Sequence, residues 1–357
     1  MRLWFVMACA LCGVAGAEIV HEHVIGKEYP GKYKHPASFT QLDTGDLYVA
    51  YYGGGGEYED DSKVWGMRRA IDGDTWSEPA VIADTPFLGE GNPVVWQAPD
   101  GMVWLYYVQR YGDTWSDSRI KAKISTDGAK TWSDPLDVTF DPGTMVRSTP
   151  IVLNNGQFLV PIYVETGHDR EVVGGDTASL FLFHDPKTRS FTTSGRIVSP
   201  KGNLQPSVVQ IDENHLIAYC RRGGGYEPTT DGYMIRSESR DGGRTWSPGE
   251  NAQFPNPNAA IDFIKLRNGH LLLVYNDNMN SRDPLTVAIS EDNDKTWPHR
   301  RDIATGDHDF AYPVALQTKD GRIRVLYTRD ERSTVMLATF EESDILGHTT
   351  ADPNNEH

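Results

Sequence analysis

Apolar runs, each interrupted by a short polar turn, recur at a steady interval along almost the whole chain. Six segments share one template: a polar residue usually followed by proline, an apolar run, a turn, a second apolar run, and in most of them a closing tyrosine. They open at His35-Pro36, Asn92-Pro93, Thr149-Pro150, Gln205-Pro206, Asn258-Ala259 and Tyr312-Pro313, so that successive units are 57, 57, 56, 53 and 54 residues apart. The turns fall at Thr44-Gly45, Asp100-Gly101, Asn155-Gly156, Glu213-Asn214, Asn268-Gly269 and Asp320-Gly321, mostly residue types that tolerate the left-handed conformations of tight hairpins. Each unit therefore opens with a hairpin. Second runs such as Leu47-Tyr48-Val49-Ala50-Tyr51 and Val103-Trp104-Leu105-Tyr106-Tyr107 are nearly continuous in β-branched and aromatic residues, as strands covered on both faces require.

A second signature lies between the hairpins. It is complete at Ser239-Arg240-Asp241-Gly242-Gly243-Arg244-Thr245-Trp246 and altered at Ser125 to Trp132, where Ala129 replaces the second glycine, and at Ser290 to Trp297, where Asp294 does. Ile71 to Trp76 is one residue short, and the third unit keeps only Asp185 and Phe191. Asp, Gly and Thr in this order predict a tight self-bonded turn, with the Trp as a plug between strands. These boxes are read as folding punctuation, not as ligand or metal sites. Together the repeats predict an all-β fold, a six-bladed β-propeller with Asp-box turns. The sixth unit has no box after Tyr327, so its outer strand is expected from Glu18 to Gly26, which would close the ring and remove free sheet edges.

Arg2, the apolar run Leu3 to Val14 and the small residues Ala15-Gly16-Ala17 predict a signal peptide over 1–17. The propeller is then assigned to 18–343 and a polar tail to 344–357, and the protein is expected to be secreted or periplasmic. Cys9 and Cys12 would leave with the leader, so Cys220 would have no partner and stability must come from the core. A formal charge of −16 disfavours nucleic acid or an anionic membrane as partner. The oligomeric state is not legible. Gly53 to Gly56 precedes no helix that could hold a phosphate, and no cofactor or metal is expected.

In a propeller the loops at one end of the inner strands converge on the axis. Residues just before those strands include Lys34, His35, Arg147, Gln205, Asp309 and Tyr312; residues just after their partners include Glu57, Asp61, Glu165, Arg221, Arg222, Arg282 and Arg329. Arginines gather here although the chain is acidic. Guanidinium forks match carboxylates, so the expected ligand carries a carboxylate, or failing that a sulfate, unless these arginines pair with Glu165, Asp277 or Asp309 and bind nothing.

At these residues the sequence resembles the Asp-box sialidases, retaining exo-glycosidases that remove terminal sialic acid. Lys34-His35-Pro36 stands where that family has Arg-x-Pro, Gln205 precedes Arg221 as a family Glu precedes an Arg, Arg282 stands ahead of the box at Ser290, and Tyr312 occupies the place of the nucleophilic tyrosine. The resemblance implies Tyr312 as nucleophile, Asp61 or Glu57 as acid/base, Gln205 in the place of the tyrosine's proton acceptor, and Lys34, His35, Arg147, Arg221, Arg222 and Arg282 as substrate-binding residues. A phenol suits an anomeric carbon bearing a carboxylate, which repels an anionic Asp or Glu. Two departures matter: Lys34 turns a fork into a point charge, and Gln205 cannot accept a proton. A polysaccharide lyase or other hydrolase acting on uronic-acid glycans, and a non-catalytic glycan-binding propeller, therefore stand beside the exo-glycosidase as readings.

Overall fold

The computed structural model describes residues 19–170, 172–306 and 308–348; the leader expected over 1–17, and the tail from 349 on, lie outside the described residues. Six antiparallel sheets follow one another as the blades of a propeller. Blade 1 comprises Ala37–Gln41, Leu47–Gly53, Lys63–Arg69 and Ala80–Ala83, and blade 2 comprises Glu90–Gln97, Val103–Arg110, Ser118–Ser125 and Leu136–Asp137. Blade 4 comprises Asn203–Gln210, Leu216–Arg222, Tyr233–Ser239 and Glu250–Pro255, and blade 5 comprises Asp262–Lys265, Leu271–Asn276, Leu285–Ser290 and His299–Ala304. The second strand of each is almost wholly buried, because its two faces meet two neighbouring blades.

Blade 6 consists of Ala311–Gln317, Ile323–Arg329 and Thr334–Phe340, and its fourth strand is Val20–Ile25, antiparallel to Thr334–Phe340 from the pair Val20 and Thr339 onward. The expected closure of the ring by the N-terminal segment is thus present. Blade 3 departs from the four-strand template: its inner strand is split into Thr144–Val146 and Ile151–Val152, both paired with Phe158–Val164. The break frees Arg147 to turn toward the axis. Beyond the assigned boundary at 343, Ile345 is fully buried in the core shared by blades 5 and 6.

The boxes hold the blades to one another. In each of the three full-length copies, Asp127, Asp241 or Asp292 accepts from the backbone N–H and hydroxyl of the threonine four residues on, at 2.6–2.9 Å. Ala129 and Asp294 take up the left-handed conformation of Gly243, with φ of 59°, 75° and 90°, so the turn survives loss of the glycine. Trp246 stacks on Phe181 of the preceding blade with centroids 4.5 Å apart, and Trp297 packs on Phe254 at 5.3 Å in the same sense. Trp132 meets Tyr48 of blade 1 and Trp76 joins the cluster shared with blade 6, so the four tryptophans are equivalent plugs.

A further repeat went unread in the sequence. Gln97, Gln210, Gln317 and Gln41 end inner strands, and each side-chain oxygen accepts from a turn N–H of the preceding blade, from Asp43, Asn154, Arg267 and Lys319 at 2.6–2.9 Å. The Lys319 to Gln41 bond seals blade 6 to blade 1. Among the described residues no helix is long and apolar enough to cross a membrane.

Candidate active site

In five of the six units the residue before the inner-strand proline or alanine is aimed at the site; Thr149 of blade 3 lines neither of its spaces. Asn92, Gln205, Asn258 and Tyr312 all have left-handed backbones, with φ between 43° and 59°, an uncommon conformation for residues other than glycine. In three of these blades the pairing skips residues there, between Gly91 and Val94, Leu204 and Ser207, and Ala311 and Val314. Such a bulge re-aims one side chain out of the sheet alternation.

Tyr312 stands at the centre of the result. Its phenol oxygen accepts from Arg221 Nη1 at 2.8 Å and from Gln205 Nε2 at 3.3 Å. Arg221 also donates to Gln205 Oε1 at 3.2 Å, which fixes the amide with its NH2 toward the phenol. Arg221 is itself held by Asn258 Oδ1 at 2.7 Å and Tyr226 at 2.9 Å. Burial pushes the phenol's pKa up, but Arg221 and Arg282 outweigh it, with help from the Gln205 hydrogen bond and against Glu57, so the group lies below its ordinary value of 10. His35 meets the ring edge-on at 4.1 Å. Its Nδ1 is 2.7 Å from the Thr328 hydroxyl, which donates to the Ala311 carbonyl, so Nδ1 carries the proton. Burial and four surrounding arginines hold His35 well below its usual pKa and neutral.

Two adjoining spaces meet at Tyr312. An open cavity of about 540 Å³ is lined by Glu57, Arg222, Tyr226, Arg282, Asp309 and Arg332, among others. A recess of about 50 Å³ lies beneath Glu57 and is lined by His35, Glu165, Gln205 and Arg221. Glu57 accepts from Tyr33 at 2.8 Å, Arg332 at 3.0 Å and Trp115 at 3.3 Å. Glu165 is pushed up to about 7 by desolvation, which the Arg221 charge only partly offsets.

The structure separates the sequence candidates. Glu57, Gln205, Tyr312, His35, Arg221, Arg222 and Arg282 line these spaces. Asp61 lines neither; it is exposed, and its Oδ1 accepts from Gly55 N–H at 2.9 Å, bracing the glycine turn. Arg147 lines neither, being 2% exposed beneath the phenol ring, and its Nη2 donates to the Tyr312 and Pro313 carbonyls at 2.7 and 3.3 Å. It positions Tyr312 and is not open to a ligand. Lys34 lines neither, at 1% exposure, and Glu28 is the charge that acts on it. Lys34 corresponds in the other units to Gly91, Leu204, Pro257 and Ala311, all buried, whereas His35 corresponds to Asn92, Gln205, Asn258 and Tyr312. Arg222 spends its Nε on the Asn256 carbonyl at 2.7 Å. Arg110 and Arg329 pair with Asp60 and Asp330.

Sequence reasoning missed Arg332, which lines the open cavity from blade 6. Asp330, Glu331 and Arg332 are consecutive left-handed residues with no glycine to announce them. Among the described residues no group of three or more His, Cys, Asp or Glu could hold a metal ion.

No curated protein sequence matches the chain significantly, whereas solved structures do at low identity. A Hadza microbial sialidase superposes with a TM-score of 0.74 at 16% identity, over 88% of this chain and 67% of its own. The intramolecular trans-sialidase from Ruminococcus gnavus, solved with oseltamivir carboxylate, gives 0.72 at 13%, over 92% and 99%. The α-L-arabinanase of Penicillium chrysogenum, solved with arabinobiose, gives 0.64 at 15%, over 92% and 100%. These likenesses establish the propeller fold. The sequence model of the BNR repeat-like domain family matches residues 45–325, and the chain belongs to that family.

Proposed function

We propose that the protein is a glycoside hydrolase that releases a terminal acidic sugar, sialic acid first among candidates, with Tyr312 as nucleophile and Glu57 as acid/base. The observation that carries this reading is a phenol oxygen that receives two hydrogen bonds and faces a cavity lined with arginines. Both bonds favour the ionised phenol, so no carboxylate is needed at position 205. The phenolate attacks the anomeric carbon while Glu57 protonates the departing glycosidic oxygen. Glu57, now ionised, takes a proton from water, whose oxygen displaces Tyr312; free sugar and phenolate are regenerated with configuration retained. Arg282, which lines the open cavity, offsets the substrate carboxylate, and Arg221 stabilises the phenolate. Sialidases and an arabinanase among proteins of this fold support hydrolysis of a glycosidic bond. Arg2 and the apolar run that follows support action outside the cytoplasm.

The same low-pKa phenol is also a competent base, which favours a lyase as the second reading: Tyr312 would remove the proton beside a uronate carboxylate. Incubation with sialosides and uronic-acid glycans, following reducing sugar and ultraviolet absorbance together, separates the two. Free sugar without new absorbance supports the hydrolase; an absorbing unsaturated product establishes the lyase; binding without turnover leaves a lectin.

A further inference from the structure

The position that would bring a guanidinium from blade 1, Lys34, is packed away from the cavity, yet the cavity has a guanidinium on that side. Arg332 reaches it from the blade 6 hairpin, and the Lys34 backbone N–H holds the Arg332 carbonyl at 2.9 Å. Its backbone conformation is costly, because Asp330, Glu331 and Arg332 have φ of 54°, 53° and 65°, and L-residues seldom occupy that region in succession. Ser333 N–H and hydroxyl close the turn on the Asp330 carbonyl at 3.1 and 2.7 Å.

Arg332 and Arg282 face each other across one carboxylate. Arg282 Nε lies 3.8 Å from Asp309 Oδ1, and Arg332 Nε lies 3.8 Å from Asp309 Oδ2. Both separations are too long for hydrogen bonds, so Asp309 is ion-paired with two forks and hydrogen-bonded to neither, while Arg332 Nη1 is held by Glu57 at 3.0 Å and leaves its Nε edge toward Asp309. Arg282 Nη1 is buried and has no hydrogen-bond partner. Arg282 is 8% exposed, whereas Asp309 is 39% exposed and has water to turn into.

We propose that Arg332 and Arg282 form the anion-binding pair of this cavity, that Asp309 stands in for the ligand carboxylate in the free protein, and that a sugar carboxylate displaces it. The inference rests on the reading of the cavity as an acidic-glycan site. A ligand carboxylate gains short charge-assisted bonds that Asp309 does not make, and must overcome repulsion from Asp309 until that side chain turns outward. Asp309 thereby sets affinity, and Arg332 supplies a fork that the blade 1 position lacks.

The test is equilibrium binding of N-acetylneuraminic acid and of glucuronic acid, each beside its uncharged amide, to the full-length protein. Arg332→Gln is expected to weaken the better-bound acid about tenfold and its amide little; Asp309→Asn is expected to tighten the acid severalfold and leave the amide unchanged. Arg332→Lys, which keeps the charge and loses the fork, should fall between, and it serves in place of Arg332→Gln if that variant does not fold. Wild-type affinity for the acid in the Arg332 variants, equal loss for acid and amide, or no gain in Asp309→Asn overturns the proposal while leaving the hydrolase reading standing. Failure of the wild-type protein to bind either acid overturns both.

Discussion

Gln205 and Tyr312 are 107 residues apart in the chain, and their polar atoms are 3.3 Å apart at the axis. Both are left-handed residues preceding a proline, one in blade 4 and one in blade 6. The propeller places equivalent slots face to face, so an amide and a phenol that share no local sequence become partners. Because Arg221 engages the amide oxygen, Gln205 can act on Tyr312 only as a donor. The site thus favours phenolate by donation and charge.

That arrangement predicts an isolated tyrosine titration. Most other buried tyrosines, including Tyr51, Tyr106, Tyr163, Tyr219 and Tyr275, are pushed upward by desolvation, whereas Tyr312 is pulled below 10. The ultraviolet band of tyrosinate should grow by one residue's worth before the others ionise. Tyr312→Phe should abolish that first step, and Arg221→Ala should move it to higher pH. An unchanged first step in Tyr312→Phe would assign it elsewhere.

Glu57 and Asp61 should part company in kinetics. Glu57→Gln is expected to lower kcat about a hundredfold or more on substrates with poor leaving groups, and far less on aryl glycosides whose leaving group needs no proton. Asp61→Asn should leave kcat within about twofold, since an amide oxygen can still accept from Gly55 N–H. Equal losses in the two variants would remove Glu57 from its assigned role.

The contribution of Glu90 to stability should fall from acid toward neutral pH. Glu90 is fully buried, one of its oxygens has no hydrogen-bond partner, and desolvation pushes its pKa from 4.5 up to about 7. A folded-state pKa above the unfolded value stabilises the fold fully below about 4.5, and that contribution is lost as pH rises through about 7. The loss is roughly 3 kcal/mol at most. Chemical denaturation at pH 5 and pH 8 should show the stability of Glu90→Gln rising relative to wild type as pH increases, whatever the buried His35 adds in the opposite sense to both proteins. A variant with the wild-type pH dependence contradicts the assignment.

The sequence made the blades legible because each repeats a proline, a turn and a tryptophan whose physical roles do not depend on the neighbours. The outer strand from the N-terminus followed from counting strands. Side-chain direction was harder to read. Lys34 and His35 are adjacent, yet only the second is in the axis-facing slot, a fact that comparing the units at Gly91 and Asn92 or Ala311 and Tyr312 would have revealed. Arg147 lay in a unit whose inner strand breaks, so the repeat could not say which way it turned. Arg332 depended on three left-handed residues that carry no glycine signal. Glu57 and Asp61 were equivalent as acids in one loop, and only the fold of Gly53 to Gly56 separates them.

The most direct test of the account is the rate of free-sugar release by wild-type protein and Tyr312→Phe, measured side by side with ligand affinity on an acidic glycan. The substitution removes only the phenolic oxygen and leaves the ring packed on His35 and on the Arg147 guanidinium. The account predicts that the variant binds within about twofold of wild type while turnover falls at least about a thousandfold, the pattern of an interaction made only in the transition state. Wild-type turnover in Tyr312→Phe would contradict it.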